Sequence, residues 1–100
     1  MADTQPAHSD PADAVAHLVR AVPGVADLHA GMFGEVGTYL PGRTVPGVRI
    51  GDGVIDIHIA VWAGAAVRKT AAAVRSAVAG LVPGADVNVT VEDVAVTDRS

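Results

Sequence analysis

The stretch Gly47-Val48-Arg49-Ile50-Gly51-Asp52-Gly53-Val54-Ile55-Asp56-Ile57-His58-Ile59-Ala60-Val61-Trp62 decides the fold. Asp52-Gly53 separates two runs rich in Val and Ile, and Asp-Gly is a favoured pair for a two-residue type I′ hairpin turn. A two-residue loop pairs Gly51 with Val54, Ile50 with Ile55, Arg49 with Asp56 and Val48 with Ile57. Apolar then faces apolar, and a cation faces an anion. A three-residue loop from Gly51 to Gly53 would pair Val48 with Asp56 and Arg49 with Ile55, which spoils the apolar face. The two-residue reading turns Ile55, Ile57, Ile59 and Val61 toward a core, and Asp56, His58, Ala60 and Trp62 the other way.

After the hairpin, Ala63-Gly64 breaks the strand and an alanine-rich helix is expected over 65–81. Val67, Ala71, Val74, Val78 and Leu81 form its apolar stripe, with Arg68, Lys69, Arg75 and Ser76 off it. Pro83-Gly84 punctuates the chain. Asp86-Val87-Asn88-Val89-Thr90-Val91-Glu92 then alternates as a strand, with Val87, Val89 and Val91 inward and Val94 and Val96 as its continuation.

Before the hairpin, Asp10-Pro11-Ala12-Asp13 reads as a helix start: Asp10 as N-cap, Pro11 at the first helical position, Asp13 favourably placed in the first turn. Val15, Leu18, Val19 and Val22 follow at one-face helical spacing, and Pro23-Gly24 ends the helix. Val25 to Ala30 reads as an imperfect strand, with room for a bulge. Gly31 to Arg43, with four glycines and one proline, reads either as an ordered loop or as the irregular start of another strand. The whole is an α+β domain over residues 10–96, with a flexible lead at 1–9 and a short tail at 97–100. Its expected form is a small, mainly antiparallel sheet with two helices on one face, in the order α-β-β-β-α-β.

Bulk properties narrow the function. One hundred residues suit a single core, and half of them are hydrophobic although only one Phe, one Tyr and one Trp are present. A net charge of −4, a pI near 5.3 and scattered basic residues argue against a nucleic-acid partner. The absence of cysteine removes disulfides, thiolate metal sites and a Cys nucleophile. The polar start lacks the features of a signal peptide, and no apolar run is long enough to span a bilayer, so a cytoplasmic location without direct membrane insertion is expected.

Candidate chemistry is sparse. Asp27 and His29, and likewise Asp56 and His58, share a strand face at two-residue spacing. If the two strands are neighbours, these four side chains approach a metal site, although no further ligand or supporting shell is specified. The simpler account is a solvated polar face. The glycine-rich segments do not feed a helix as phosphate-binding loops do, and no cofactor is expected. Ser9, Ser76 and Ser100 lack a nucleophile elbow, and Glu35 and Asp93 are isolated carboxylates, so the chain does not read as an enzyme. Met32, Phe33, Tyr39, Leu40 and Trp62 remain as the candidate protein interface, set against the alternative that the loop folds back and covers Trp62. Exposed sheet edges offer a second route to association.

Taken together, several segments resemble one family. They are Val22-Pro23-Gly24-Val25 after a short helix, the glycine-rich Gly31 to Gly42, the hairpin GVRIGDGVIDIHIAVWAG, the helix VRKTAAAVRSAVAGL and the closing VNVTVEDV. In order and spacing they are similar to the alkaline-shock proteins, bacterial proteins of the envelope stress response, over Asp13 to Val96. The resemblance implies a non-enzymatic, cytoplasmic protein of cell-envelope homeostasis. It also implies protein partners, among them a membrane-anchored protein or sibling chains, and homo-oligomers. The family has no established catalytic residues to carry over. This chain lacks the long charged tails of some relatives. The runner-up is a small metal- or ligand-binding accessory protein built around Asp27, His29, Asp56 and His58.

Overall fold

Asp10 caps the first helix as the sequence expects. In the computed structural model, which describes residues 10–96, its side chain accepts from the Ala12 amide while the Asp13 carboxylate accepts from the Asp10 amide. This capping box satisfies donors that the first turn of a helix leaves open. The lead at 1–9 and the tail at 97–100 lie outside the described residues.

The elements are α1 (Pro11–Arg20), β1 (Val25–Leu28), β2 (Gly37–Leu40), β3 (Arg43–Pro46), β4 (Val48–Gly51), β5 (Val54–Trp62), α2 (Val67–Leu81) and β6 (Asp86–Ala95). The fold is α+β, with two helices against a mainly antiparallel sheet. The segment 31–43, open between loop and strand in the sequence, contributes β2 and the start of β3, a separate antiparallel hairpin.

β5 is the spine. The β4–β5 register is the two-residue one, and Asp52 and Gly53 at the turn have φ of 47° and 78°, the left-handed values a type I′ turn requires. β1 pairs antiparallel with the far half of β5, after a register shift between Val25 and Asp27 where a bulge was expected. β1 and β4 therefore lie end to end along one edge of β5. They meet at His58, whose amide donates to the Gly47 carbonyl and whose carbonyl accepts from the His29 amide. β6 runs parallel to β5 along the other edge, reached through the α2 crossover.

The core lies between the sheet and both helices. Ile55, Ile57, Ile59 and Val61 from β5 are buried with Val15 and Val19 of α1 and Val74 and Val78 of α2 in one cluster. The α2 stripe is shorter than its sequence spacing suggests. Val67 and Leu81 at its ends are exposed, and Thr70 is buried beside Gly24, where the helix passes close to the chain entering β1. Among the described residues no helix is long and apolar enough to cross a membrane.

Candidate functional site

The five residues of the expected interface do not form one surface. Leu40 turns inward from β2 and packs against the core cluster, while its neighbour Tyr39 is exposed on the other side of the hairpin. Leu40 is thus partly buried at the margin of the core, on the face that strand alternation gives it once β2 exists. Trp62 ends β5 opposite Gly24, where its amide donates to the Gly24 carbonyl, and it stays 39% exposed. Met32 and Phe33 lie beyond the other end of β1, 75% and 90% exposed.

The segment carrying Met32 and Phe33 is tied down at several points. The Gly34 amide donates to the Gly31 carbonyl at 3.1 Å, and the Val36 amide to the Ala30 carbonyl at 2.8 Å. The Gly31 amide donates to His29 Nδ1 at 2.9 Å, and the Arg49 guanidinium donates to the Glu35 carbonyl. Val36 is buried below, and the Gly47 amide donates to its carbonyl, which joins the turn to the β1–β4 junction. The turn therefore presents two large apolar side chains to solvent from a base stitched by hydrogen bonds. Single exposed apolar residues are ordinary, whereas here two large ones are adjacent in sequence on the same turn.

The four residues of the metal reading do not converge as ligands, because each is engaged separately. Asp27 pairs with Arg20 of α1 at 3.0 Å, and His29 Nδ1 accepts from the Gly31 amide. Asp56 accepts from the Asn88 side chain at 3.2 Å, and His58 Nδ1 meets Glu92 at 2.5 Å. Among the described residues no three His, Asp or Glu side chains gather as metal ligands would. The two strands are neighbours as that reading supposed, but local partners occupy the side chains.

The His58–Glu92 pair is the contact that sequence spacing missed. Both side chains are mostly buried on the outer sheet face. β6 shifts register between Val91, opposite Ile59, and Asp93, opposite Ala60, so Glu92 is an inserted residue beside His58. The signal was present in the spacing: Val87, Val89 and Val91 fall two apart, and Val94 breaks that count.

A groove of about 750 Å³ runs between α1 and β3, with Ala14, Leu18, Val45, Pro46 and Leu81 in its lining. Its rim holds Arg20 and Arg43, each already bound to a carboxylate: Arg20 to Asp27, and Arg43 to Asp13 through both guanidinium nitrogens at 2.7 Å. The hydrogen bonds that Arg43 donates to the Asp13 carboxylate are the main cause raising the Arg43 pKa above its ordinary value, with burial opposing it. Both guanidinium groups thus already hold a carboxylate, and His17 and Thr44 belong to the polar part of the lining. No protein-family description, no curated protein and no solved structure matches this chain.

Proposed function

We infer that this chain is a non-enzymatic protein-interaction or self-assembling scaffold module of cell-envelope homeostasis. It acts in the cytoplasm and reaches the membrane through a protein partner. The observation that carries the interaction reading is the Met32-Phe33 tip, an exposed apolar pair on a turn held by four hydrogen bonds from Gly31, Gly34, Val36 and Arg49. Ordering the tip in advance lowers the entropy lost when a partner covers it. The envelope setting rests on the resemblance of the hairpin, the second helix and the closing strand to alkaline-shock proteins. The metal-binding alternative has its two strands side by side but is less well supported, since Asp27, His29, Asp56 and His58 each hold another partner.

The test is a tagged pull-down from detergent-solubilised source cells, read by mass spectrometry, with the Met32→Asp/Phe33→Asp variant alongside. A small membrane-anchored protein or a sibling chain captured by the parent and lost with the variant supports the reading. Equal capture by both chains, or recovery of the bait alone, overturns it.

A further inference from the structure

We propose that the free edge of β6 is a self-association surface on which a second copy of this chain docks, strand against strand, about a two-fold axis through Val89. This rests on the reading of the chain as a self-assembling module and gives that module its contact.

β6 pairs with β5 along one edge, and among the described residues nothing pairs with its other edge. Which backbone groups are free follows from the ladder. The Asp86 amide donates to the Gly53 carbonyl, so the groups of Asp86, and by alternation those of Asn88 and Thr90, point toward β5. The N–H and C=O groups of Val87, Val89 and Val91 therefore point outward. Beyond the inserted Glu92 the edge is closed differently: the Val94 amide is capped by the Asp93 side chain at 2.8 Å. The open window is thus the uncharged run Val87-Asn88-Val89-Thr90-Val91, bounded by Asp86 on one side and by Glu92 and its bulge on the other. Bulges and charges are the usual protection of an edge, and here they leave the middle bare.

That window reads alike in both directions for its valines, which suits an isologous contact. An antiparallel pairing centred on Val89 sets Val87 against Val91 of the second copy, and Val89 against its own equivalent. Every outward backbone group of the three valines then finds a partner. Moving the centre to Asn88 or Thr90 leaves one valine without a matching group. In the Val89 register, Asn88 lies opposite Thr90 of the second copy on the outer face. The helices of both copies lie on the same side of the continued sheet. Val89 and Val91, only half-buried beside fully buried Ile57 and Ile59, gain cover from their counterparts. Asp86 opposite Glu92 is the one like-charged pair, at the ends of the ladder.

Sedimentation equilibrium of the full chain, from micromolar to near-millimolar concentration, tests this. A reversible monomer–dimer equilibrium is expected, strengthened by salt as the end charges are screened. Val89→Pro removes an outward N–H without touching the β5 ladder and is expected to weaken association at least tenfold. Should Val89→Pro fail to fold, two exposed-face variants keep the question decidable. Asn88→Lys with Thr90→Lys opposes like charges across the axis and weakens the dimer. Asn88→Lys with Thr90→Glu opposes unlike charges and restores it. A chain that stays monomeric throughout, or a dimer indifferent to the charge pattern, overturns the edge contact. Partner capture through Met32 and Phe33 is scored separately, so it can persist when the edge fails.

Discussion

Arg43 and Asp13 join the hairpin β2–β3 to the start of α1 through two parallel hydrogen bonds of 2.7 Å. Asp13 also closes the capping box by accepting from the Asp10 amide at 3.2 Å. One carboxylate thus fixes where the helix begins and where the hairpin rests. Bidentate geometry makes Arg and Lys unequal at such a site.

Asp13→Ala is therefore expected to lower the melting temperature more than Arg43→Met, because it removes the helix contact as well as the hairpin contact. The first-turn carboxylate alone contributes roughly 0.3–1 kcal/mol. Arg43→Lys should fall between the parent and Arg43→Met. Since the Arg43 pKa is raised in the folded state, its stabilisation is complete below the unfolded value and is lost only above it. The gap in melting temperature between parent and Arg43→Met should accordingly stay constant from neutral to mildly alkaline pH. A gap that closes over that range would contradict the pairing.

Gly47 sets the junction of β1 and β4 on β5. Its φ is 78°, and a Cβ there would lie 2.8 Å from the His58 carbonyl oxygen and 2.9 Å from the His29 nitrogen, both backbone atoms that cannot swing aside. Gly53 has the same φ of 78° and nothing within 4 Å. Gly53→Ala should cost about 1–2 kcal/mol, the left-handed backbone alone. Gly47→Ala should cost clearly more, roughly 2–4 kcal/mol once the clash is added. Chemical denaturation of the two variants separates the effects, and equal losses would mean the junction relaxes freely.

Met32 and Phe33 should behave oppositely to the core. Phe33→Ser removes a side chain that is 90% exposed, so stability should change by less than about 0.5 kcal/mol while partner capture is lost. Ile57→Ala, at a fully buried position, should cost about 2–5 kcal/mol. A Phe33→Ser variant as destabilised as Ile57→Ala would show that the tip serves the fold and not a partner.

The parts of the fold legible in the sequence are those that local chemistry determines. Asp52-Gly53 specified the turn, and the pairing of Arg49 with Asp56 specified the register, because a slip of one residue would have reversed every face. Asp10, Pro11 and Asp13 specified the helix start. The hairpin β2–β3 was less legible, since its pairing is stabilised at a distance, by Arg43 reaching Asp13 and by the Thr38 hydroxyl donating to the Val48 carbonyl. The site was least legible. Whether Leu40 or Tyr39 faces outward depends on a strand the composition did not announce, and His58 finds Glu92 through an inserted residue in a strand 34 positions away.

That inserted residue gives a final test of the β5–β6 register. Val91 lies opposite Ile59 and Asp93 opposite Ala60, so Glu92 occupies no ladder position of its own. Deleting Glu92 leaves every other pairing in place and removes only the contact to His58, which as a hydrogen bond contributes about 0.5–1.5 kcal/mol. Deleting Thr90 instead draws Val91 onto the outer face and carries Glu92 inward to the Val91 position, which packs against the apolar core cluster. An unpaired carboxylate there is costly. The Glu92 deletion should keep a cooperative thermal transition a few degrees below the parent, and the Thr90 deletion should lose it. Far-ultraviolet circular dichroism melts of the two chains decide the matter: equal tolerance of both deletions would mean that β6 slides on β5, and that the bulge does not hold its register.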